Sequence, residues 1–193
     1  MNRRFAFTVS AAFALTLFAS AAPARAQGFI SGMLGFNFGG VSGCPQLNSC
    51  TNKQTNLSVG AGKFGTIFGA EMEVAYAPDF FGEAAGLSSN VLTVMGNVML
   101  GPKAGPLRPY VLAGLGLMKT HFELRTSSLL TTNDTAFGYG VGAGAFVFVA
   151  NHFGLRGDLR YFHSFPDVTI LGVTLPSPKL NYSRISTGIV VKF

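Results

Sequence analysis

Residues 180–193 alternate in polarity from one side chain to the next, in the order LNYSRISTGIVVKF. Alternate side chains of a strand point to opposite faces, so this segment has one mostly apolar and one mostly polar face. The first face holds Ile185, Thr187, Ile189, Val191 and Phe193, and the second holds Arg184, Ser186, Gly188, Val190 and Lys192. Soluble termini usually fray into water, whereas a strand that closes a membrane barrel has a lipid face, a lumen face and aromatic residues at the membrane boundary. An ordinary amphipathic strand is the alternative.

Seven earlier segments show the same period of two and are predicted to be strands. They cover residues 28–39, 55–64, 67–77, 90–100, 109–124, 135–149 and 154–165. Glycine occupies every second position from Gly138 to Gly144, which favours a strand because glycine is a poor helix former, and no Lys-Ser/Thr pair follows to complete a phosphate-binding motif. The total of eight strands is even, as in bacterial single-chain barrels. We therefore predict an all-β fold, an eight-stranded antiparallel up-and-down transmembrane β-barrel, over residues 27–193.

The predicted connections between these strands alternate in length. The long ones cover residues 40–56, 80–89, 126–134 and 166–179, and the shorter ones cover 65–66, 101–108 and 150–153. Long loops on one rim and short turns on the other are typical of outer-membrane barrels, in which the long loops are extracellular.

Residues 1–26 have the pattern of a secretory signal peptide. Arg3 and Arg4 precede an apolar segment at 5–19, and Ala24-Arg25-Ala26 matches a small-x-small cleavage site. The apolar segment is shorter than the roughly 18 residues that a spanning helix needs. We predict cleavage between Ala26 and Gln27 and delivery to the cell outer membrane.

The composition contains little charge for a soluble surface. Charged residues make up 11% of the chain, against about 25% in typical soluble domains, and the mean hydropathy is +0.39. Removing the three arginines of the predicted signal from the 14 basic residues leaves 11 against 8 acidic ones, a net charge of +3. This charge is too small and too dispersed to indicate nucleic-acid binding.

The charged side chains within the strands are predicted to face the lumen as a charge network. The set comprises Glu71, Glu73, Lys119, His121, Glu123, Arg156, Asp158, Arg160, Arg184 and Lys192. An eight-stranded barrel is just wide enough for side chains to fill it, and buried charges need partners. We therefore expect a salt-bridged, blocked core, with a gated path for small solutes as the alternative. A secreted lipocalin-type barrel would instead turn its apolar face inward and its charges to water. The predicted outer faces of these strands carry no charge, and this favours the membrane barrel over the lipocalin type.

Several motifs resemble the outer-membrane β-barrel domain family, which is related to OmpA-type, OmpX-type and opacity-protein barrels. They are EMEVAYAPDFFG at 71–82, Pro109-Tyr110 followed by Gly114-Leu115-Gly116, Phe137-Gly138-Tyr139 followed by Gly142-Ala143-Gly144, and HFGLRGDLRYF at 152–162. The resemblance extends over the whole mature chain and implies an eight-stranded barrel with unequal loops, but little about activity. The ending with Ile189, Val191 and Phe193 resembles the C-terminal signature that the barrel-assembly machinery recognises. Unlike full-length OmpA-type proteins, the chain is expected to end without a peptidoglycan-binding domain.

Few residues suggest chemistry. Cys44 and Cys50 are the only cysteines, and we expect them to form a disulfide because the cell envelope is oxidising, whereas a metal site would need more ligands nearby. His163 and Ser164 are adjacent, so they point to opposite faces of a strand and cannot form a dyad on one face. We therefore predict no enzyme activity, no metal site and no cofactor.

The sequence thus predicts a small outer-membrane barrel with a structural or surface-interaction role. Its expected partners are outer-membrane lipid, the barrel-assembly machinery during insertion, and an unidentified extracellular ligand at the long loops. Transport of a small solute or apolar ligand is the alternative function, and a secreted lipocalin-like binding barrel is the less favoured one.

Overall fold

The computed structural model describes residues 26–39, 54–78, 80, 87–124, 131–165, 168–170, 173–175 and 180–193. The strands are β1 (Gln27–Phe38), β2 (Thr55–Phe64), β3 (Phe68–Pro78), β4 (Leu87–Leu100), β5 (Leu107–Leu124), β6 (Thr131–Phe148), β7 (Phe153–Ser164), β8 (Val168–Ile170), β9 (Val173–Leu175) and β10 (Asn181–Lys192). Within these ranges there is no helix long and apolar enough to cross a membrane.

Eight of the strands form a closed antiparallel barrel, which confirms the predicted fold. The order around the barrel is β1-β10-β7-β6-β5-β4-β3-β2, so each barrel strand pairs with its neighbours along the chain. β1 and β10 complete the ring in a register that pairs Ile30 with Val191 and Phe38 with Ser183. The remaining strands, β8 and β9, form a separate small hairpin between β7 and β10, which the sequence did not predict.

Two strands begin three or more residues earlier than predicted. β4 starts at Leu87 instead of residue 90, and β6 starts at Thr131 instead of residue 135. In β6 the extra residues are polar, yet they pair with β5 up to the partnership of Thr131 with Glu123. Backbone hydrogen bonds can continue between two strands whatever their side chains are. A change from apolar to polar side chains therefore indicates where a strand leaves the apolar band, and it is a poorer guide to where the strand ends.

The outer surface of the barrel is a band of large apolar side chains. Leu34, Phe68 and Ile189 are each more than 60% exposed on this surface, and most side chains of the opposite parity on these strands are buried. The buried set includes Glu71, Arg156 and other charged side chains. An apolar exterior around a polar interior suits a barrel in lipid and is the reverse of a lipocalin-type barrel.

The glycines of β6 face inward and make room for bulky neighbours. A Cβ atom on Gly144 would lie 2.6 Å from both Asp158 Cβ and Tyr110 Oη, and one on Gly142 would lie 2.9 Å from Arg160 Cγ. Real Cβ atoms do not approach other atoms this closely, so a side chain at these positions would force its neighbours to shift. The bare face of β6 therefore allows the large side chains of β5 and β7 to occupy the lumen.

Candidate functional site: an ion-pair network across the lumen

Six charged side chains from three strands meet in the middle of the lumen. They are Glu71 and Glu73 from β3, Arg156, Asp158 and Arg160 from β7, and Arg184 from β10. On β3 and β7 they lie two residues apart, which places them on the same inward face. Their side chains are no more than 2% exposed. Three guanidinium groups and three carboxylates balance the formal charge of this network.

Glu71 is bound by Arg156 through two hydrogen bonds. Arg156 Nη1 donates to Glu71 Oε1, and Arg156 Nη2 donates to Glu71 Oε2 at 3.1 Å. Arg160 Nη2 lies 3.3 Å from the same Oε2. Parallel bonds of this kind combine charge attraction with a defined orientation. β3 and β7 are four positions apart in a ring of eight strands, so this pair spans the full width of the lumen.

Asp158 and Tyr110 extend the network towards β5. Tyr110 Oη donates to Asp158 Oδ2 at 3.0 Å and accepts a hydrogen bond from Arg156 Nε at 2.8 Å. Arg160 Nη2 also donates to Asp158 Oδ2, at 2.9 Å. The tyrosine hydroxyl therefore links an arginine to a carboxylate.

Glu73 joins the third arginine to the network. Arg184 Nη2 donates to Glu73 Oε1, and Arg160 Nη2 lies 2.9 Å from Glu73 Oε2. Arg160 thus contacts all three carboxylates, which connects β3, β7 and β10 in one cluster.

Apolar layers cover the network on both sides. The layer towards the short turns comprises Phe29, Phe64, Met99, Tyr110, Leu112, Phe146 and Val190, and the layer towards the long loops comprises Ala77, Phe80, Val91, Met95, Met118, Ala136, Phe162, Leu180 and Tyr182. Arg156 lies 5.0 Å from the ring centre of Phe146, and Arg184 lies 4.8 Å from that of Phe162. The charges are therefore separated from both openings by packed rings and aliphatic side chains.

Arg108 closes the rim at the short turns and was not predicted from the sequence. Its Nη2 donates to the backbone oxygens of Gly65 and, at 2.9 Å, of Thr66, and its guanidinium lies 3.7 Å from the centre of the Phe64 ring. Arg108 and Tyr110 are two residues apart, so both lie on the inward face of β5. The sequence pattern had predicted that this face of β5 points to lipid.

The structure corrects the predicted orientation of β5. Leu112, Met118 and Thr120 are buried, whereas Lys119 is exposed on the outer surface, and His121 shares its parity. Glu123 lies on the same parity of the strand, but its side chain falls outside the described residues. The prediction that no charge lies on the outer face is also wrong, because Lys63 is exposed there near the short-turn end of β2. Charges at either end of a strand reach beyond the hydrocarbon, so they need not point inward.

The remaining predicted residues lie elsewhere. Lys192 lies at the short-turn mouth, 4.2 Å from the centre of the Phe148 ring, and is not part of the network. Ile189 and Phe193 are exposed on the outer surface, and Val191 on the same parity is half-buried. Cys44 and Cys50 lie outside the described residues.

The pair His163 and Ser164 is split between the two faces of β7. Ser164 is buried, and its Oγ accepts a hydrogen bond from Leu180 N at 2.8 Å. His163 lies on the outer face beside Tyr139 and Tyr161. The two side chains do not form a common site.

The closed barrel, apolar outside and charged within, defines a small outer-membrane β-barrel protein. A family model described as "Outer membrane protein beta-barrel domain" matches residues 9–193. The chain belongs to this family, and the family places it in the outer membrane.

Solved structures of outer-membrane barrels have the same fold. Neisserial surface protein A aligns at 15% identity with a TM-score of 0.61, covering 88% of this chain and 100% of its own. The N-terminal β-barrel domain of OprF from Pseudomonas aeruginosa aligns at 14% identity with a TM-score of 0.54 and the same coverage. Ail, the attachment invasion locus protein of Yersinia pestis, aligns at 14% identity with a TM-score of 0.55 and the same coverage. At these identities the similarity concerns the fold alone. No curated protein matches the chain significantly.

Proposed function

We propose that this protein is a structural and surface-interaction component of the outer membrane whose lumen is closed to solutes. The observation that carries the proposal is the network of six buried charges that joins β3 to β7 across the lumen. An eight-stranded barrel has just enough interior space for its own side chains. Opening a path would require the bidentate pair between Arg156 and Glu71 to separate.

The apolar layers support a closed lumen for a second reason. An ion that crosses the barrel would have to lose its water between rings such as Phe162 and Tyr182, whose centres are 4.9 Å apart, and again between Phe29 and Phe146, at 5.3 Å. Transfer of an unpaired charge into such surroundings costs several kcal/mol or more. The proposal includes no catalytic step and no cofactor.

Planar bilayer recordings test the closed lumen. We expect the folded protein, once inserted into the bilayer, to show no steady channels of large conductance. A wide porin inserted under the same conditions is the positive control and should conduct. Insertion is verified independently by flotation of the protein with lipid vesicles. Steady, large openings of the wild-type protein would overturn the proposal and favour solute transport.

We further propose that recognition takes place at the long connections. The connections after β1, β3, β5 and β7 lie on one rim, and those after β2, β4 and β6 lie on the other. The first rim has the longest connections, after β1 and β7, and in outer-membrane barrels the long-loop rim faces the exterior. The hairpin of β8 and β9 gives the last connection a structure of its own. From the sequence we also propose that residues 1–26 are cleaved, that the barrel-assembly machinery inserts the protein, and that outer-membrane lipid surrounds it.

An inserted epitope tests the orientation of the loops. A short epitope placed between Leu171 and Gly172, in the β8–β9 connection, should be accessible to antibody on intact cells. The matched control carries the same epitope after Lys103, in the short turn before β5, and should be labelled only after the outer membrane is permeabilised. The reverse pattern would contradict the assigned orientation.

A further inference from the structure

The lipid-facing side of the barrel contains an apolar groove. Its floor consists of small residues that are neighbours in the sheet, Ala145 on β6, Gly157 on β7 and Thr187 on β10. Its walls include the exposed side chains of Leu34 and Leu159.

 The cavity has a volume of about 630 Å³ and lies between these walls and Ile185. In this part of the apolar band, large side chains surround a floor of residues whose side chains are small or absent.

A cluster of rings lies on the same strands, nearer to the long loops. Phe137 and Tyr139 on β6 contact Phe165, with ring centres 5.7 and 5.6 Å apart. Tyr139 also lies 5.5 Å from His163, and Tyr161 Oη lies 3.5 Å from His163 Nδ1. These five residues form what we call the ring cluster, which combines aromatic surface with hydroxyl and imidazole groups.

A cation adjoins the ring cluster. Lys119 on β5 pairs with Thr135 on β6, two residues beyond Phe137 towards the long loops, and it is exposed on the outer surface. On the other side, Asn181 pairs with His163. A cation, an amide and several rings at this height can contact a phosphorylated sugar headgroup, since lysine is a common phosphate ligand.

The spacing along β7 places the groove and the ring cluster at different depths of one leaflet. Gly157 and His163 are six residues apart, or about 20 Å along a strand. At a tilt of about 40° this is about 15 Å along the membrane normal, which is half of a hydrocarbon core of about 30 Å. With the ring cluster at the depth of the headgroups, the groove lies about 15 Å deeper, among the acyl chains.

We propose that this face binds one molecule of an acylated, phosphorylated saccharolipid of the lipid A class, which forms the outer leaflet. One acyl chain lies in the groove, the sugars contact the ring cluster, and a phosphate meets Lys119. If a second copy of the chain bound to this face, its own Lys119 and His163 would lie opposite the first copy's Lys119, and no anion would be supplied. A phosphorylated lipid supplies the anion, so charge complementarity favours the lipid. The inference depends on the outer-membrane location and not on whether the lumen conducts.

The test is a titration of the purified, folded protein in detergent micelles with diphosphorylated hexa-acyl lipid A, followed by native mass spectrometry. Gly157→Leu fills the groove, and it fits the barrel because its Cβ would meet only Ser186 O, at 3.8 Å. The matched control is Gly96→Leu on β4, which also points outward and whose Cβ would meet only Leu115 O, at 3.9 Å. If Gly157→Leu fails to fold, Ala145→Leu fills the same groove.

We expect one lipid A molecule per chain, with phosphatidylglycerol binding much more weakly. Gly157→Leu should weaken lipid A binding about tenfold, as expected when about two methylene groups are kept from the groove, while Gly96→Leu leaves it unchanged. Lys119→Gln should weaken binding of diphosphorylated lipid A, and the control Lys63→Gln at the opposite rim should not. Equal binding of both lipids, equal effects of both glycine variants, or a protein dimer that only Gly157→Leu dissociates would overturn the proposal.

Discussion

Arg156 lies at the centre of the lumen and depends on its partners. It contacts Glu71, Asp158 and Tyr110 while its side chain is fully buried. A buried ion pair adds little net stability compared with apolar packing, but the loss of one partner leaves a charge without compensation. The inward direction of these residues follows from strand parity and could be predicted. Their pairing across the lumen could not, because parity says nothing about contacts between strands on opposite sides of a barrel.

Glu71→Ala should therefore reduce the free energy of unfolding by about 3–5 kcal/mol, because it leaves the Arg156 guanidinium buried without its main partner. The double variant Glu71→Leu with Arg156→Met should lose less than this single variant. The chain has no tryptophan, so the folded fraction in urea is measured by gel migration of vesicle-bound protein. Lys119→Gln is the control, with a change within about 0.5 kcal/mol. A negligible effect of Glu71→Ala on the free energy of unfolding would contradict the dependence of buried Arg156 on this carboxylate.

At the scale of elements, β5 and β6 show what strand patterns reveal and conceal. In β6 the glycines alternate with large residues, so the two faces of the strand are easy to tell apart in the sequence. In β5, apolar residues such as Leu112 and Leu115 occupy both parities, and the charges near the end of the strand suggested the wrong face. Within the hydrocarbon region, lipid excludes charge, so the charged positions of a strand indicate which face points to the lumen. Near the rims, charges can lie on either face, and they no longer indicate the orientation of the strand.

Gly144→Ala should destabilise the barrel by about 1–3 kcal/mol, the usual cost of inserting an atom into a packed interior. The added Cβ would meet Asp158 Cβ and Tyr110 Oη at 2.6 Å. Gly96→Ala, which points outward with open space, serves as the control in the same urea titration. Similar stabilities of the two variants would contradict close packing between β6 and its neighbours.

At the scale of the whole molecule, the eight strands and their cyclic order determine behaviour that no single strand has. The eight barrel strands and the apolar exterior could both be predicted, because each follows from patterns repeated along the chain. The predicted alternation of long and short connections does not hold at β5, because residues 101–106 before it and 125–130 after it are equally many. The β8–β9 hairpin could not, since strands of three residues carry too short a pattern.

A closed barrel should resist SDS until it is heated. Membrane-extracted protein should migrate differently on a gel before and after boiling, because the unheated barrel keeps its hydrogen bonds paired around the ring and stays compact. Samples reduced and boiled in parallel serve as the unfolded reference. Identical migration in both lanes would contradict a closed ring.

The pairing of β1 with β10 has a consequence for biogenesis. Gly28 and Phe193 exchange backbone hydrogen bonds of 2.9 Å although 165 positions separate them, and joining such distant segments costs about 4–5 kcal/mol of chain entropy. The first strand leaves the ribosome long before its partner exists, so until the last strand arrives β1 has an open edge that can pair with other chains. Aggregation through this open edge therefore competes with ring closure until the last strand has paired with the first.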